Sequence, residues 1–207
     1  MEAVSSFTLE DFAELNFGLG EGREGWEISP HRAAVLIHDT IRYYTEKLPS
    51  QVQAQLAENL ASLMGWAEEH RVPVLASVPR PAHSANQRGI GYKLWGIGPT
   101  LDQTRDFIAG SLQEPGVPLI RKRSLSAFFA TDLETELRRL GRDQLVIGGV
   151  FTGGGILATG FDALARDLEF FVVADASADL NSEKHSRTLT QIGETVGQVV
   201  SLATLGA

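Results

Sequence analysis

The sequence predicts an α/β domain in which a central, mainly parallel β-sheet lies between two layers of helices. Short apolar runs of strand length recur along the chain, and most are followed by amphipathic stretches of about 10 to 20 residues. The chain has 207 residues, of which 43% are hydrophobic and 21% charged, so it is long enough to bury a substantial core. We therefore expect one three-layer αβα domain.

The elements alternate in chain order. Residues 1–30 are polar and rich in glycine, and we expect an arm outside the core with Trp26 as its anchor, followed by one domain over residues 31–207. Strands are predicted for RAAVLIHD, VPVLASV, VPLIRK, QLVIGGV and EFFVVADA. Helices are predicted for QVQAQLAENLASLMGWAEEH, AFFATDLETELRRLGR, ILATGFDALARDL and the last stretch of the chain. The long irregular loop Pro79–Thr100 is of a kind that often binds ligands.

Composition excludes several classes of function. The 18 basic residues are scattered and outnumbered by 26 acidic ones, which gives a net charge of −8, so we expect no nucleic-acid partner. The sequence contains no cysteine, which excludes disulfides, thiolate metal sites and cysteine nucleophiles. No apolar run approaches the roughly 18 residues of a membrane span, and no signal-peptide pattern opens the sequence. We therefore expect a cytoplasmic protein without a membrane partner.

Two charged residues stand at the predicted carboxyl ends of strands, where ligands bind in open α/β sheets. Asp39 ends the first apolar run, so its pKa should be raised, as in a general acid; a helix N-cap or a structural ion pair is the alternative. Lys122 ends a later strand, where it would hold a substrate carboxylate, pair with Asp39 or be a solvated charge. Neither residue decides the function alone.

The glycine run Gly148–Gly155 joins a predicted strand to a helix, so its backbone amides suit an anion. Gly153, Gly155 and Ala158 also fit the dinucleotide fingerprint G-x-G-x-x-A, with Asp175 at the end of the next predicted strand. That fingerprint normally occupies the first βα turn of its fold, so a dinucleotide site remains only a rival hypothesis. A Walker motif, a zinc spacing among the five histidines and a G-x-S-x-G elbow are all missing from the sequence.

A set of ordered motifs resembles the isochorismatase-like hydrolases over roughly residues 26–195. The motifs are AVLIHD, QRG, LWG, RKRSLSAFF, LVIGGVFTGGGI and VADASAD. Within this superfamily, HD-x-x-R-Y, S-A-F-F-x-[ST]-D-L and G-R-D-Q-L-V are most similar to the phenazine-biosynthesis isochorismatases. The resemblance implies the Rossmann-like αβα fold of that superfamily. Most members use an Asp, Lys and Cys triad; the matching positions here are Asp39, Lys122 and Gly155, so the thiol nucleophile is missing.

The resemblance implies hydrolysis of a vinyl ether without a protein nucleophile. Protonated Asp39 would give its proton to the methylene carbon of an enolpyruvyl ether, water would add, and pyruvate would leave. Lys122 would hydrogen-bond the substrate and hold Asp39, and Gly155 would make room for the enolpyruvyl group. The implied substrate is 2-amino-2-deoxyisochorismate or isochorismate, in secondary metabolism. The implied protein is a homo-oligomer, a dimer, that needs neither a metal nor an organic cofactor.

The resemblance also implies how a carboxylated small molecule would be bound. Arg88 would contact a carboxylate and Trp95 would form an apolar wall; a surface charge and a core aromatic are the alternatives. Tyr44 and Phe151 are expected near the same pocket. Where phenazine-type relatives carry a glutamine, this sequence leaves Pro79 or Arg80, and Phe151 replaces an aromatic hydroxyl. Because of these departures, two alternative functions remain. One is a hydrolase with an altered substrate, and the other is a non-catalytic protein that binds a metabolite or a partner.

Overall fold

The computed structural model describes residues 7–13, 25–109, 112 and 116–206. In this part of the chain six strands form one sheet in the order β3-β2-β1-β4-β5-β6, and every neighbouring pair is parallel. The strands are β1 Ala33–His38, β2 Val74–Pro79, β3 Leu119–Lys122, β4 Gln144–Val150, β5 Glu169–Ala178 and β6 Gln198–Val200. The predicted α/β fold with a parallel sheet is confirmed.

Helices connect the strands. They are α1 Glu10–Ala13, α2 Arg42–Thr45, α3 Ser50–Glu69, α4 Ala85–Arg88, α5 Gly91–Trp95, α6 Leu133–Arg139, α7 Leu157–Leu164, α8 Ser182–Thr195 and α9 Leu202–Leu205. A 3-10 turn covers Gln103–Arg105, and a π-helical turn over Thr152–Ile156 precedes α7. The loop Pro79–Thr100 thus contains two short helices. The sequence analysis did not predict β6, because three residues are too short for a periodic pattern.

The core lies on both faces of the sheet. Strands β1 and β4 are buried along their whole length, as predicted for strands covered on both sides. Helix α3 packs on the sheet through an apolar stripe. Its buried residues are Val52, Leu56, Leu60, Leu63, Trp66 and Ala67. Burying each leucine stabilises the fold by about 1.5 to 3 kcal/mol, so this stripe holds the helix over β1, β4 and β5.

The N-terminal segment contributes to the core. Phe7, Leu9 and Phe12 are buried, and helix α1 packs against β5. The expectation that residues 1–30 stay outside the core is therefore wrong for residues 7–13, because the polar average of the segment hides three apolar side chains. Trp26 does anchor the chain: its ring centre lies 6.0 Å from that of Phe171. The domain boundary at residue 30 stays a prediction.

None of the helices within the described residues is both long and apolar enough to cross a membrane. Because all strands of the sheet run in one direction, their carboxyl ends lie on the same side of the sheet. Asp39, Lys122 and the turn that follows β4 lie at these carboxyl ends.

Candidate active site

Three strand ends build the site. Asp39 directly follows β1, Lys122 is the last residue of β3, and Phe151 follows β4. Asp39 has a φ of 55°, in the left-handed region that side-chain-bearing residues seldom adopt. Such strained backbone is often found at functional sites, where the surrounding structure holds it in place.

Asp39 and Lys122 form a buried ion pair. The Lys122 Nζ lies 2.7 Å from Asp39 Oδ2, and the two side chains are only 4% and 10% exposed. Lys122 Nζ also donates to the Ser124 carbonyl at 3.2 Å. The interpretation of Lys122 as a solvated charge is therefore wrong, and its pairing with Asp39 is confirmed. Asp39 is not a helix N-cap either, since Ile41 takes that position in α2.

The protonation of Asp39 depends on two opposing effects. Burial raises its pKa above the usual range, while Lys122 and Arg88 lower it. Burial is the larger effect, so the pKa is raised, as predicted. The alternative of an ion pair is also met by Lys122, so the role of general acid stays a prediction. Asp39 Oδ1 is buried and has no hydrogen-bond partner among the described residues. This oxygen is therefore the one that can hold the proton.

His38 lies next to this pair. Its ring is completely buried, with Nδ1 2.9 Å from Ser77 Oγ and Nε2 3.5 Å from Asp39 Oδ2. Burial and the positive charge of Lys122 lower the pKa of His38 well below its ordinary value, so the ring is neutral. His38 is therefore packed within the strand, and its ring also faces Asp39.

A cavity of about 330 Å³ opens beside Lys122, which lines it, whereas Asp39 lies behind the lysine and does not line it. Six of the predicted site residues line it together: Tyr44, Arg88, Trp95, Lys122, Phe151 and Gly155. Tyr43, Lys47, Leu180 and Lys184 also line it. The sequence analysis missed these four. Leu180 and Lys184 follow the carboxyl end of β5, which lies at Ala178 and not, as predicted, at Asp175.

Aromatic side chains form the walls of the cavity. The ring centres of Tyr44 and Phe151 lie 6.1 Å apart, edge to face. The Arg88 guanidinium lies 6.0 Å from the Trp95 ring centre, and its Nε is buried without a hydrogen-bond partner in the described part of the chain. Trp95 is 53% exposed, so the alternative of a core aromatic is wrong. Arg88 is half-buried rather than a free surface charge.

Arg80 does not line this cavity. It is exposed and lines a neighbouring cavity of about 300 Å³, together with Arg88 and Arg123. Pro79, the last residue of β2, lines the main cavity instead. Of the two residues left open at this place, Pro79 therefore faces the site. A polar substrate contact is missing there.

The buried carboxylate of Asp179 stabilises the glycine turn, Thr152–Ile156, which follows β4. Asp179 is completely buried and accepts hydrogen bonds from the Gly153 amide at 2.6 Å and the Thr152 hydroxyl at 3.1 Å. Lys184 pairs with Asp179 at 3.1 Å. The Gly154 amide donates to the Phe151 carbonyl at 3.0 Å. The expectation that free amides of this run bind an anion is thus wrong for Gly153 and Gly154, which are bonded within the protein.

The position and contacts of Asp175 do not fit the hypothesis of a dinucleotide site. Strand β5 continues past it to Ala178, so Asp175 does not end a strand. Its carboxylate accepts the Leu202 amide at 3.0 and 3.2 Å and therefore fixes the start of α9. An acid used in this way is not free to bind a ribose hydroxyl.

Residue 155 must be glycine because the His38 ring occupies the space beside it. A Cβ at residue 155 would lie 2.0 Å from His38 Nε2, closer than any real contact. The space beside Gly155 is therefore filled by the imidazole, and room for the enolpyruvyl group at Gly155 stays a prediction. Gly149 is equally constrained, with φ 123° and a Cβ position 2.2 Å from the His38 carbonyl oxygen.

Comparison with known proteins identifies the family. The model of the isochorismatase domain matches residues 33–204. The chain belongs to the isochorismatase family. It is 37% identical over 161 residues to the phenazine biosynthesis protein PhzD of Pseudomonas fluorescens, covering 77% of this chain and 78% of that one. It is 31% identical over 185 residues to the enterobactin synthase component B of Escherichia coli K12, covering 87% and 64%.

Several solved structures have the same fold as this isochorismatase family member. A cysteine hydrolase from Pseudomonas syringae has a TM-score of 0.73 at 22% identity, covering 87% of this chain and 95% of that one. An isochorismatase family protein from Burkholderia thailandensis has a TM-score of 0.69 at 25% identity, covering 86% and 94%. The protein is thus an isochorismatase-type hydrolase, and it contains no cysteine.

Proposed function

We propose that this enzyme hydrolyses the enolpyruvyl ether of an isochorismate-type substrate, 2-amino-2-deoxyisochorismate or isochorismate. The products would be pyruvate and a dihydro-hydroxyaromatic acid. The observation that carries the proposal is the buried pair of Asp39 and Lys122 beside a cavity in which residue 155 offers no nucleophile. The names of the relatives, which include isochorismatase and phenazine biosynthesis protein, support the same reaction. Antibiotic biosynthesis is the pathway class that they suggest.

The first step is proton transfer to carbon. Asp39, whose pKa is raised by burial, gives its proton to the methylene carbon of the enolpyruvyl group. A C–H bond forms, and the former enol carbon becomes an oxocarbenium ion. Asp39 is left as a carboxylate, which Lys122 stabilises at 2.7 Å. The pair is therefore arranged to favour the charge that develops in the transition state.

The second step adds water. A water molecule attacks the oxocarbenium carbon and loses a proton, which restores the acid form of Asp39. The hemiketal hydroxyl then loses its proton as the bond between its carbon and the ether oxygen breaks. The ether oxygen takes up a proton and leaves as the ring alcohol, and the remaining fragment is pyruvate. One water is consumed, and no covalent intermediate with the protein is needed.

Positive charge around the cavity suits a substrate with carboxylates. Arg88, Lys47 and Arg123 line the cavity of a chain whose net charge is −8. Lys122 and Lys184 also line it, but each is paired with a buried aspartate. Such a concentration of one charge sign in a cleft favours an anionic ligand. We assign a substrate carboxylate to Arg88, because its Nε is buried without a partner within the described residues.

A second candidate is the same reaction on a different vinyl ether. Pro79 and Phe151 line the cavity and offer no side-chain hydrogen bond, at places where the resemblance led us to expect a glutamine and an aromatic hydroxyl. Each missing polar contact is worth roughly 1 to 3 kcal/mol of discrimination. A non-catalytic binding protein is the further alternative, which the intact acid pair disfavours.

The test is release of pyruvate from isochorismate and from 2-amino-2-deoxyisochorismate, measured with a coupled lactate dehydrogenase. Asp39→Asn should abolish release, while Asp102→Asn, at an exposed position, should leave it unchanged. Release from either substrate that depends on Asp39 would support the proposal. A folded wild type that releases no pyruvate from either would refute it.

The oligomeric state and location belong to the same proposal. Large apolar side chains are exposed on the described surface, and two of them, Trp95 and Leu125, line the cavity. The others include Ile90, Leu94 and Phe129. They support a homo-oligomer, which we propose to be a dimer in the cytoplasm. Light scattering after size exclusion should give twice the 22.4 kDa of the chain, and a monomer would refute the dimer.

A further inference from the structure

His38 occupies the space that a side chain at residue 155 would need. A Cβ at residue 155 would lie 2.0 Å from His38 Nε2 and 3.0 Å from two carbon atoms of the same ring. The imidazole is completely buried between the glycine turn and Asp39. A fully buried polar ring at this place needs a reason beyond packing, since an apolar side chain would fill the same space without a polar cost.

The contacts of the ring fit the tautomer that carries its hydrogen on Nε2. Nδ1 lies 2.9 Å from Ser77 Oγ, and a serine hydroxyl on the neighbouring strand can donate to it. A neutral imidazole that accepts at Nδ1 carries its hydrogen on Nε2. This Nε2 has no hydrogen-bond partner among the described residues, and it lies 3.5 Å from Asp39 Oδ2.

We propose that His38 is a positioning residue for Asp39. The Nε2–H of His38 donates to Asp39 Oδ2 as the carboxyl group loses its proton. Lys122 already bonds the same oxygen at 2.7 Å, so two donors would hold Oδ2 as Asp39 loses its proton. The distance of 3.5 Å is long for the ground state, and such bonds commonly shorten when charge develops. The inference rests on the proposed proton transfer by Asp39.

The proposal also explains why the His38 ring lies against a glycine at residue 155. Residue 155 must lack a side chain so that the imidazole can reach Asp39. A larger residue there would displace the ring and remove one of the two donors. The site is therefore built for acid catalysis at the cost of a nucleophile at residue 155.

The kinetic test compares His38→Leu with His38→Gln. Leucine fills similar space without a donor, while glutamine keeps an N–H. We expect kcat to fall about ten- to hundredfold in His38→Leu, with KM changed less than twofold, and part of the loss to be recovered in His38→Gln. Because the lost donor stabilises the carboxylate, the alkaline limb of the kcat profile should move up by roughly one pH unit in His38→Leu. The other groups acting on Asp39 are Lys122, Arg88 and Tyr44, and they are unchanged.

A merely structural role for His38 would give a different result. The melting temperature would fall and kcat would drop, but the alkaline limb would stay in place and glutamine would not restore the rate. Such an outcome, or a rise in KM at constant kcat, would overturn the proposal.

A test without substrate separates this inference from the proposed function. Nitrogen-15 spectra of histidine-labelled protein should show His38 neutral with its hydrogen on Nε2. Carbon-13 titration of labelled aspartate should show a higher pKa for Asp39 in His38→Leu than in the wild type. If pyruvate release fails but both spectra agree, the proposed reaction is wrong and the hydrogen bond stands. A hydrogen on Nδ1, or an unchanged Asp39 pKa, would refute the role of His38 whatever the activity.

Discussion

The Lys122 ammonium reaches the Asp39 carboxylate at 2.7 Å although β2 lies between the strands that carry them. Lys122 is the residue paired with Pro79 at the end of β2, and Asp39 follows the residue paired with Ser77. The lysine side chain thus crosses the end of β2 to reach the acid. Since both groups are buried, each one sets the electrostatic environment of the other.

Lys122→Met should weaken both stability and catalysis. Lys122 lowers the pKa of Asp39, so its removal should raise that pKa further. An acid whose folded pKa is raised contributes stability below its unfolded pKa of about 4, and this contribution is lost as pH rises through the folded value. We therefore expect the destabilisation of Lys122→Met to be small near pH 5 and to grow toward about 3 kcal/mol at pH 8.

Urea unfolding of wild type and Lys122→Met at pH 5 and pH 8 checks this. Lys93→Met, on the exposed face of α5, is the matched control and should be neutral at both values. Equal destabilisation at the two pH values would show that Asp39 does not respond to Lys122.

Gly155→Ala should destabilise the protein strongly, whereas Gly154→Ala should not. A Cβ at residue 155 would lie 2.0 Å from the His38 ring, while one at residue 154 would meet only Phe151 Cβ, at 4.0 Å. Overpacking of this kind costs about 1 to 3 kcal/mol. Thermal unfolding of the two variants measures the difference. Similar melting temperatures for both would mean that the imidazole can move away freely.

Arg88→Gln should act mainly on binding. Its guanidinium lines the cavity, and its loss removes a charged contact to a substrate carboxylate, so KM should rise about ten- to hundredfold with a smaller change in kcat. Steady-state kinetics of pyruvate release gives both constants. Arg105→Gln, at an exposed arginine of the 3-10 turn, serves as the control. An unchanged KM in Arg88→Gln would remove Arg88 from the binding site.

His185 should make stability depend on pH below neutrality. Burial lowers the pKa of His185 to about 4, from about 6.5 in the unfolded chain. A group with a depressed folded pKa contributes stability above its unfolded pKa, and this contribution is lost as pH falls from about 6.5 to about 4. The loss should total roughly 3 kcal/mol across that window, and His38 acts in the same direction.

His185→Gln should therefore flatten the fall in stability between pH 6.5 and pH 4, while the exposed His31→Gln should leave it unchanged. Urea unfolding at several pH values gives the slope. A slope as steep in His185→Gln as in the wild type would place the pH dependence on other groups.

Local pattern was enough to predict the fold class. The strands around Ala33–His38 and Gln144–Val150 are apolar on both faces, and α3 shows a helical stripe, so their types and positions follow from periodicity. The errors occurred where the local pattern is weak. Strand β6 is three residues long, β5 continues beyond the acid that was taken as its end, and Phe7, Leu9 and Phe12 are hidden in a polar segment.

The sequence by itself determined the parallel α/β fold, the absence of a cysteine nucleophile and the positions of Asp39 and Lys122 at strand ends. Tertiary structure alone decided that they pair and that the pKa of Asp39 is raised, because burial and distance in space control both. It also decided that Pro79 rather than Arg80 faces the cavity and that His38 fills the space beside Gly155. Contacts between residues far apart in the chain leave no periodic signal, so only the folded arrangement of the strand ends shows them.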